Sequence, residues 1–168
     1  MAIVDKFNYV PLSELEDPDD FRPKSKLALI TDPGDAENGH VADMVVFQEQ
    51  IAPGDSIPLH KHTIEEVMVV VQGQLEVRLG SIKKTAEKGA VIFIPAKTAH
   101  GFKNTGSDPA QITAVFPSHN VDIRYLERNP APGTEKNFPG APVSIDVREF
   151  VHGNMAEAVK PLSPEAFD

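Results

Sequence analysis

Between residues 26 and 116 the chain breaks into short apolar runs: KLALIT (26–31), DMVVFQEQI (43–51), EEVMVVV (65–71), QLEVRL (74–79), AVIFI (90–94) and AQITAVF (110–116). Turn formers separate them, at Pro53-Gly54-Asp55, Gln72-Gly73, Glu87-Lys88-Gly89, Pro95 and Asn104-Thr105-Gly106. Helical periodicity is scarce, so the runs read as strands, and their regular punctuation restricts the chain to a small antiparallel barrel or sandwich. LEVRL alternates, with Leu75, Val77 and Leu79 on one face and Glu76 and Arg78 on the other. Gly73 stands where a hairpin turn would join EEVMVVV to QLEVRL. VMVVV is apolar on both faces, which predicts cover on both sides, by the barrel interior and by either the terminal arms or a second subunit. A homodimer is the expectation.

The flanks differ in character. Residues 1–40 read as an N-terminal arm with one edge strand and an acidic patch, ELEDPDD (14–20); residues 41–118 are the barrel; residues 119–168 form an irregular, proline-rich C-terminal extension. Within that extension ERNPAPGTEKNFPGAP (127–142) is too dense in proline and glycine to hold regular structure, and reads as an arm or lid. VSIDVREF (143–150) reads as one more strand and NMAEAV (154–159) as a helical turn or two.

Charge and cysteine content remove whole classes of function. A formal charge of −9 with a pI near 5.1 argues against nucleic acid or an anionic membrane surface as partner. With no cysteine, disulfides, thiolate metal sites and cysteine nucleophiles are excluded. No stretch reaches the roughly 18 apolar residues of a membrane span, and Asp5 interrupts the N-terminus where a signal peptide needs an apolar core. The expectation is a cytoplasmic protein of one domain with a small-molecule partner.

The chain has six histidines, and two of them fall in HKHTIEE (60–66). On a strand His60 and His62 project to the same side, and Glu66 shares their parity. A lone His-x-His arises by chance, and a solvated polar turn is the plain alternative. His100 follows in PAKTAHGF, after a turn set by Pro95. Three imidazoles and a carboxylate suit Fe²⁺, Mn²⁺, Ni²⁺, Co²⁺ or Zn²⁺, and poorly suit Ca²⁺ or Mg²⁺. An octahedral ion would keep two positions open, whereas a tetrahedral zinc would be closed by these four groups and serve structure only.

GDSIPLHKHTIEEVMVVVQG (54–73) resembles the first motif of the cupin family: glycine, five residues, His-x-His, three residues, glutamate, six residues, glycine, at Gly54, His60, His62, Glu66 and Gly73. GAVIFIPAKTAHGFKN (89–104) resembles the second, with Gly89, Pro95, His100 and Asn104 on pattern and Lys97 where the family usually has glycine, a position that favours φ > 0. The resemblance covers about residues 41–118. It implies an all-β, cupin-type double-stranded β-helix (a jelly-roll barrel) with N- and C-terminal extensions. It also implies that His60, His62, Glu66 and His100 bind one divalent transition metal ion, Fe²⁺ favoured.

Cupins with this ligand set include dioxygenases, decarboxylases, lyases and isomerases, so the resemblance defines the site better than the reaction. The expected function is a metal-dependent enzyme on a small carbonyl, enol or acid, with a dioxygenase placed first. An isomerase or lyase on a metal-chelated carbonyl or sugar comes next, and a non-catalytic ligand-binding cupin is the further alternative. No catalytic residue stands out. Gln48, mid-strand in VVFQEQ, and Phe102 are the candidate substrate contacts; Phe93 and Phe116 read as barrel core. Glu65 has the opposite parity to Glu66 and is expected to face outward. His40, His119 and His152 are assigned no role, and Arg124 and Tyr125 read as surface or lid residues.

Overall fold

The computed structural model describes residues 3, 6–15, 17–31 and 41–168; His40 lies outside them. In chain order the strands are β1 (Val10–Pro11), β2 (Lys26–Leu29), β3 (Val45–Ile51), β4 (Ser56–Lys61), β5 (Glu66–Gln72), β6 (Gln74–Leu79) and β7 (Ile82–Glu87). They continue as β8 (Val91–Ile94), β9 (His100–Asn104), β10 (Ala110–Phe116), β11 (Asn120–Tyr125), β12 (Val143–Asp146) and β13 (Val159–Pro161). Two short helices, α1 (Val147–Val151) and α2 (Met155–Ala158), separate β12 from β13.

The strands make two sheets, β1-β2-β3-β10-β5-β8 and β13-β12-β11-β4-β9-β6-β7, with antiparallel pairing throughout both. The core lies between them. Val45, Ile51, Val70, Leu75 and Ile112 are almost wholly buried there, each worth about 1.5–3 kcal/mol over its exposed state. The period-two reading of LEVRL holds, since Leu75 and Val77 are buried while Arg78 reaches out to Glu127 at 2.7 Å. Gly73 turns the β5–β6 hairpin at φ +77°, and a Cβ there would stand 3.0 Å from the Ala110 backbone, so both conformation and space demand glycine.

β5 buries Glu66, Met68 and Val70 inward, while Val67 and Val69 are half-buried on the outer face and Val71 is exposed. Phe93 and Val91, their register partners on the edge strand β8, are 68% and 49% exposed. Among the described residues, the terminal arms therefore leave this end of the outer face open. They do cover its other end, where the Tyr9 hydroxyl donates to Gln48 over the buried Ala28.

Two flanking segments are more ordered than their composition suggests. The C-terminal extension contributes β11, β12 and β13, which prolong the second sheet beyond β4. VSIDVREF is strand only to Asp146; there the side chain caps α1, accepting from the N–H of Arg148 at 3.1 Å and of Glu149 at 3.5 Å. The aspartates of the acidic patch are likewise paired rather than solvated. Asp17 accepts from Tyr125, Asp19 from Arg128 and the Gly140 N–H, and Asp20 from Arg22 and Asn129. Residues 127–142 do lack helix and strand, and those bonds tie them to the N-terminal arm.

Candidate metal centre

β4 carries His60, the link after it His62, β5 begins with Glu66 and β9 begins with His100. Antiparallel pairing sets His60 directly beside His100, and all four side chains are buried. One ligand atom from each lies within 4.8 Å of the others, a spacing that could hold a metal ion. Glu66 Oε2 stands 3.2 Å from His100 Nε2 and 3.7 Å from His62 Nε2.

Hydrogen bonds decide which ring nitrogen faces the centre. His60 Nδ1 lies 2.7 Å from the Pro58 carbonyl and His100 Nδ1 lies 2.8 Å from that of Thr98; His62 Nδ1 bonds the carbonyl of Asp122. A carbonyl only accepts, so each Nδ1 carries the proton and each Nε2 presents a lone pair inward. Burial and the neighbouring imidazoles hold His60 well below its ordinary pKa, and burial chiefly lowers His62 as well, which keeps these rings neutral. Glu66 Oε2 and His100 Nε2 are buried without a hydrogen-bond partner. Such orphans normally cost stability, and a divalent ion at their midst would satisfy both.

The centre opens on a cavity of about 840 Å³ between the sheets. Phe102 is buried against His100 (ring centroids 5.9 Å apart) and lines this cavity. Gln48 does not. Val45, Phe47, Glu49 and Ile51 share the inward parity of β3, so Gln48 points to the outer face, where it bonds Tyr9. The inward polar residue is Glu49, paired with Arg22, which in turn holds Asp20 at 2.5 Å. Counting parity back from Ile51 would have found Glu49 in the sequence.

Of two further groups near the centre, Asp122 is not singled out in the sequence and Tyr125 reads there as a surface or lid residue. Asp122 fixes the His62 tautomer and accepts from the Thr63 N–H at 2.6 Å. Tyr125, register partner of His60, lines the cavity and donates to Asp17 at 2.7 Å. Both sit in NVDIRY, whose alternation marks it as a strand. Glu65 is exposed, as its parity predicts. His119 lies near Asp146 (3.7 Å) rather than the centre, His152 lines the exposed end of the cavity, and Arg124 pairs with Asp168 at 3.1 Å.

A two-sheet antiparallel barrel with a buried His₃Glu cluster in its interior defines a class of β-barrel that could hold a metal ion. Residues 47–116 match the family model of the cupin domain, which together with the fold supports a small cupin-superfamily protein. Auxin-binding protein 1 of Arabidopsis thaliana is 28% identical over 119 residues, 66% of this chain and 60% of that protein, so the chain spans less than two thirds of that relative. Among solved structures, the polyketide cyclase RemF of Streptomyces resistomycificus aligns with TM-score 0.58 and 21% identity, over 77% of this chain and 82% of that one. A sugar phosphate isomerase of the cupin superfamily from Silicibacter pomeroyi aligns with TM-score 0.57 and 17% identity, over 86% and 83%. At these identities the structural likeness concerns the double-stranded β-helix fold. No helix among the described residues is long and apolar enough to cross a membrane.

Proposed function

We propose that this chain is a metal-dependent enzyme acting on a small organic carbonyl, enol or acid, with His60, His62, Glu66 and His100 as ligands of one divalent transition ion, Fe²⁺ first. The observation that carries the reading is the buried cluster itself: three imidazoles locked with Nε2 inward around an unpartnered carboxylate, at the wall of a large cavity. A bound ion would supply Lewis acidity toward a chelating oxygen substrate, and redox chemistry if it is iron. The apolar wall at Phe102 would orient that substrate and keep water from it. A cytoplasmic location, a homodimer and a small-molecule rather than nucleic-acid partner belong to the same proposal.

Oxygenation is the first reaction to test. Iron(II)-loaded protein is expected to consume oxygen stoichiometrically with one member of a panel of enols and β-diketones. Turnover of a panel member without oxygen uptake would favour the second reading, an isomerase or lyase. That second reading has its own support in the Tyr125–Asp17 pair, a hydroxyl and a carboxylate on the cavity wall able to pass a proton. Binding of a ligand without any turnover would leave a non-catalytic binding protein, the role that the relative's name, auxin-binding protein, suggests for that protein.

A further inference from the structure

The cavity's own polar inventory restricts what it can hold. Its barrel wall is Phe47, Met68, Ile112 and Phe116, and the terminal extensions close it with Leu12, Leu15, Phe150 and Met155. The acids and the one guanidinium of the wall are already matched: Arg22 with Asp20 and Glu49, Asp17 with Tyr125, and Asp19 with Arg128 and the Gly140 N–H. Among the described residues of this wall, the fully buried side-chain atom that lacks a partner is Glu66 Oε2, which belongs to the candidate metal centre.

We propose that the cavity takes a bulky, largely apolar ligand that presents one oxygen-chelating group to the histidine–glutamate end, and that it rejects polyhydroxylated or phosphorylated ligands. This rests on the metal-site reading above. The volume of about 840 Å³ is that of a pocket for a ligand of two or three fused rings rather than a two- or three-carbon acid. Each sugar hydroxyl carried into it would leave water for a wall whose charged groups are already engaged with one another, at roughly 1–3 kcal/mol for each one left unpaired. A phosphate would face five acids (Asp17, Asp19, Asp20, Glu49, Glu66) and Arg22, which two of them already hold; the other basic lining residues, Lys6 and His152, stand on the exposed rim.

Cobalt(II)-loaded full-length protein tests this, because the visible band of the ion reports chelation directly. The probes are 1-hydroxy-2-acetonaphthone (chelate plus apolar body), acetylacetone (chelate alone) and fructose 6-phosphate. The naphthone is expected to shift the cobalt band and to bind at least about 100-fold more tightly than acetylacetone, with no response to the sugar phosphate. Ala114→Phe, which fills the wall, is expected to lower naphthone affinity at least about tenfold with cobalt uptake intact. Should that variant not fold, Val151→Trp at the open end of the cavity serves the same end.

Equal affinity for the two chelators, binding of fructose 6-phosphate, or naphthone binding without a band shift would each overturn the proposal. Cobalt uptake without naphthone binding overturns the ligand class alone. A protein that takes up no cobalt overturns the metal reading, and the chelating group with it.

Discussion

The backbone N–H of Lys97 donates to the carbonyl of His62 at 2.7 Å, binding the turn before His100 to the segment that carries the other histidines. Lys97 holds φ at 65°, alone among the described non-glycine residues. Strain at this position is thus spent on bringing the two halves of the centre together.

Lys97→Gly should relieve that strain, for a gain of about 1 kcal/mol in urea unfolding and a rise in Tm of about 2–4 °C. Lys97→Ala is the control. It keeps the strained backbone and loses the Nζ bond to the Asp168 carbonyl, 2.7 Å, so it should gain nothing. A glycine variant no more stable than the alanine one would contradict this account of the turn.

Arg22 is expected to matter for stability as a buried charge between two acids. Arg22→Ala leaves Asp20 and Glu49 uncompensated and should cost about 3–5 kcal/mol. Arg22→Met combined with Glu49→Leu should recover most of it, because Asp20 still accepts from Asn129 at 3.1 Å. A loss below about 1 kcal/mol in the single variant would mean that water reaches the cluster.

Asp17 gives a pH signature. Burial, the largest influence, raises its pKa above the ordinary 3.8, although the Tyr125 hydroxyl lowers it. The folded state therefore holds this proton more tightly than the unfolded chain. The stability it contributes is complete below the unfolded pKa and is lost as pH rises through the folded one. Asp17→Asn should remove that loss, so its stability relative to wild type should grow as pH rises from 4, read by denaturation of metal-free protein. A constant difference, or one that shrinks, would contradict the assignment.

How far the sequence alone carries depends on which residues had local signals. The clustering of His60, His62, Glu66 and His100 was legible because motif spacing and strand parity point the same way, and the β6 boundaries, Gln74–Leu79, were legible because alternation and turn residues coincide. Gln48 was misplaced because a buried polar residue was sought without counting parity from Ile51; Glu49 holds the inward position. The pairing of the acidic patch was not legible, because its partners Arg128, Asn129 and Tyr125 lie over a hundred residues away. Distant pairing of that kind leaves no local pattern. Asp146 was readable as a cap, but the apolar run on both sides of it hid the change from strand to helix.

The open outer face bears on assembly. Phe93, Val91 and Val71 form an exposed apolar row beside Val67 and Val69. A homodimer at micromolar concentration is the expected result of sedimentation analysis, with Phe93→Asp shifting the protein to monomer. A wild-type monomer across that range would show that the row stays in solvent.

The central claim is that His60, His62, Glu66 and His100 bind a transition ion. Elemental analysis of protein purified without added metal tests it most directly. About one transition metal ion per chain is expected in the wild type, and almost none in His60→Ala or His100→Ala. Glu66→Gln, which removes the anionic ligand, should weaken binding at least about tenfold. Full metal content in both histidine variants would contradict the claim.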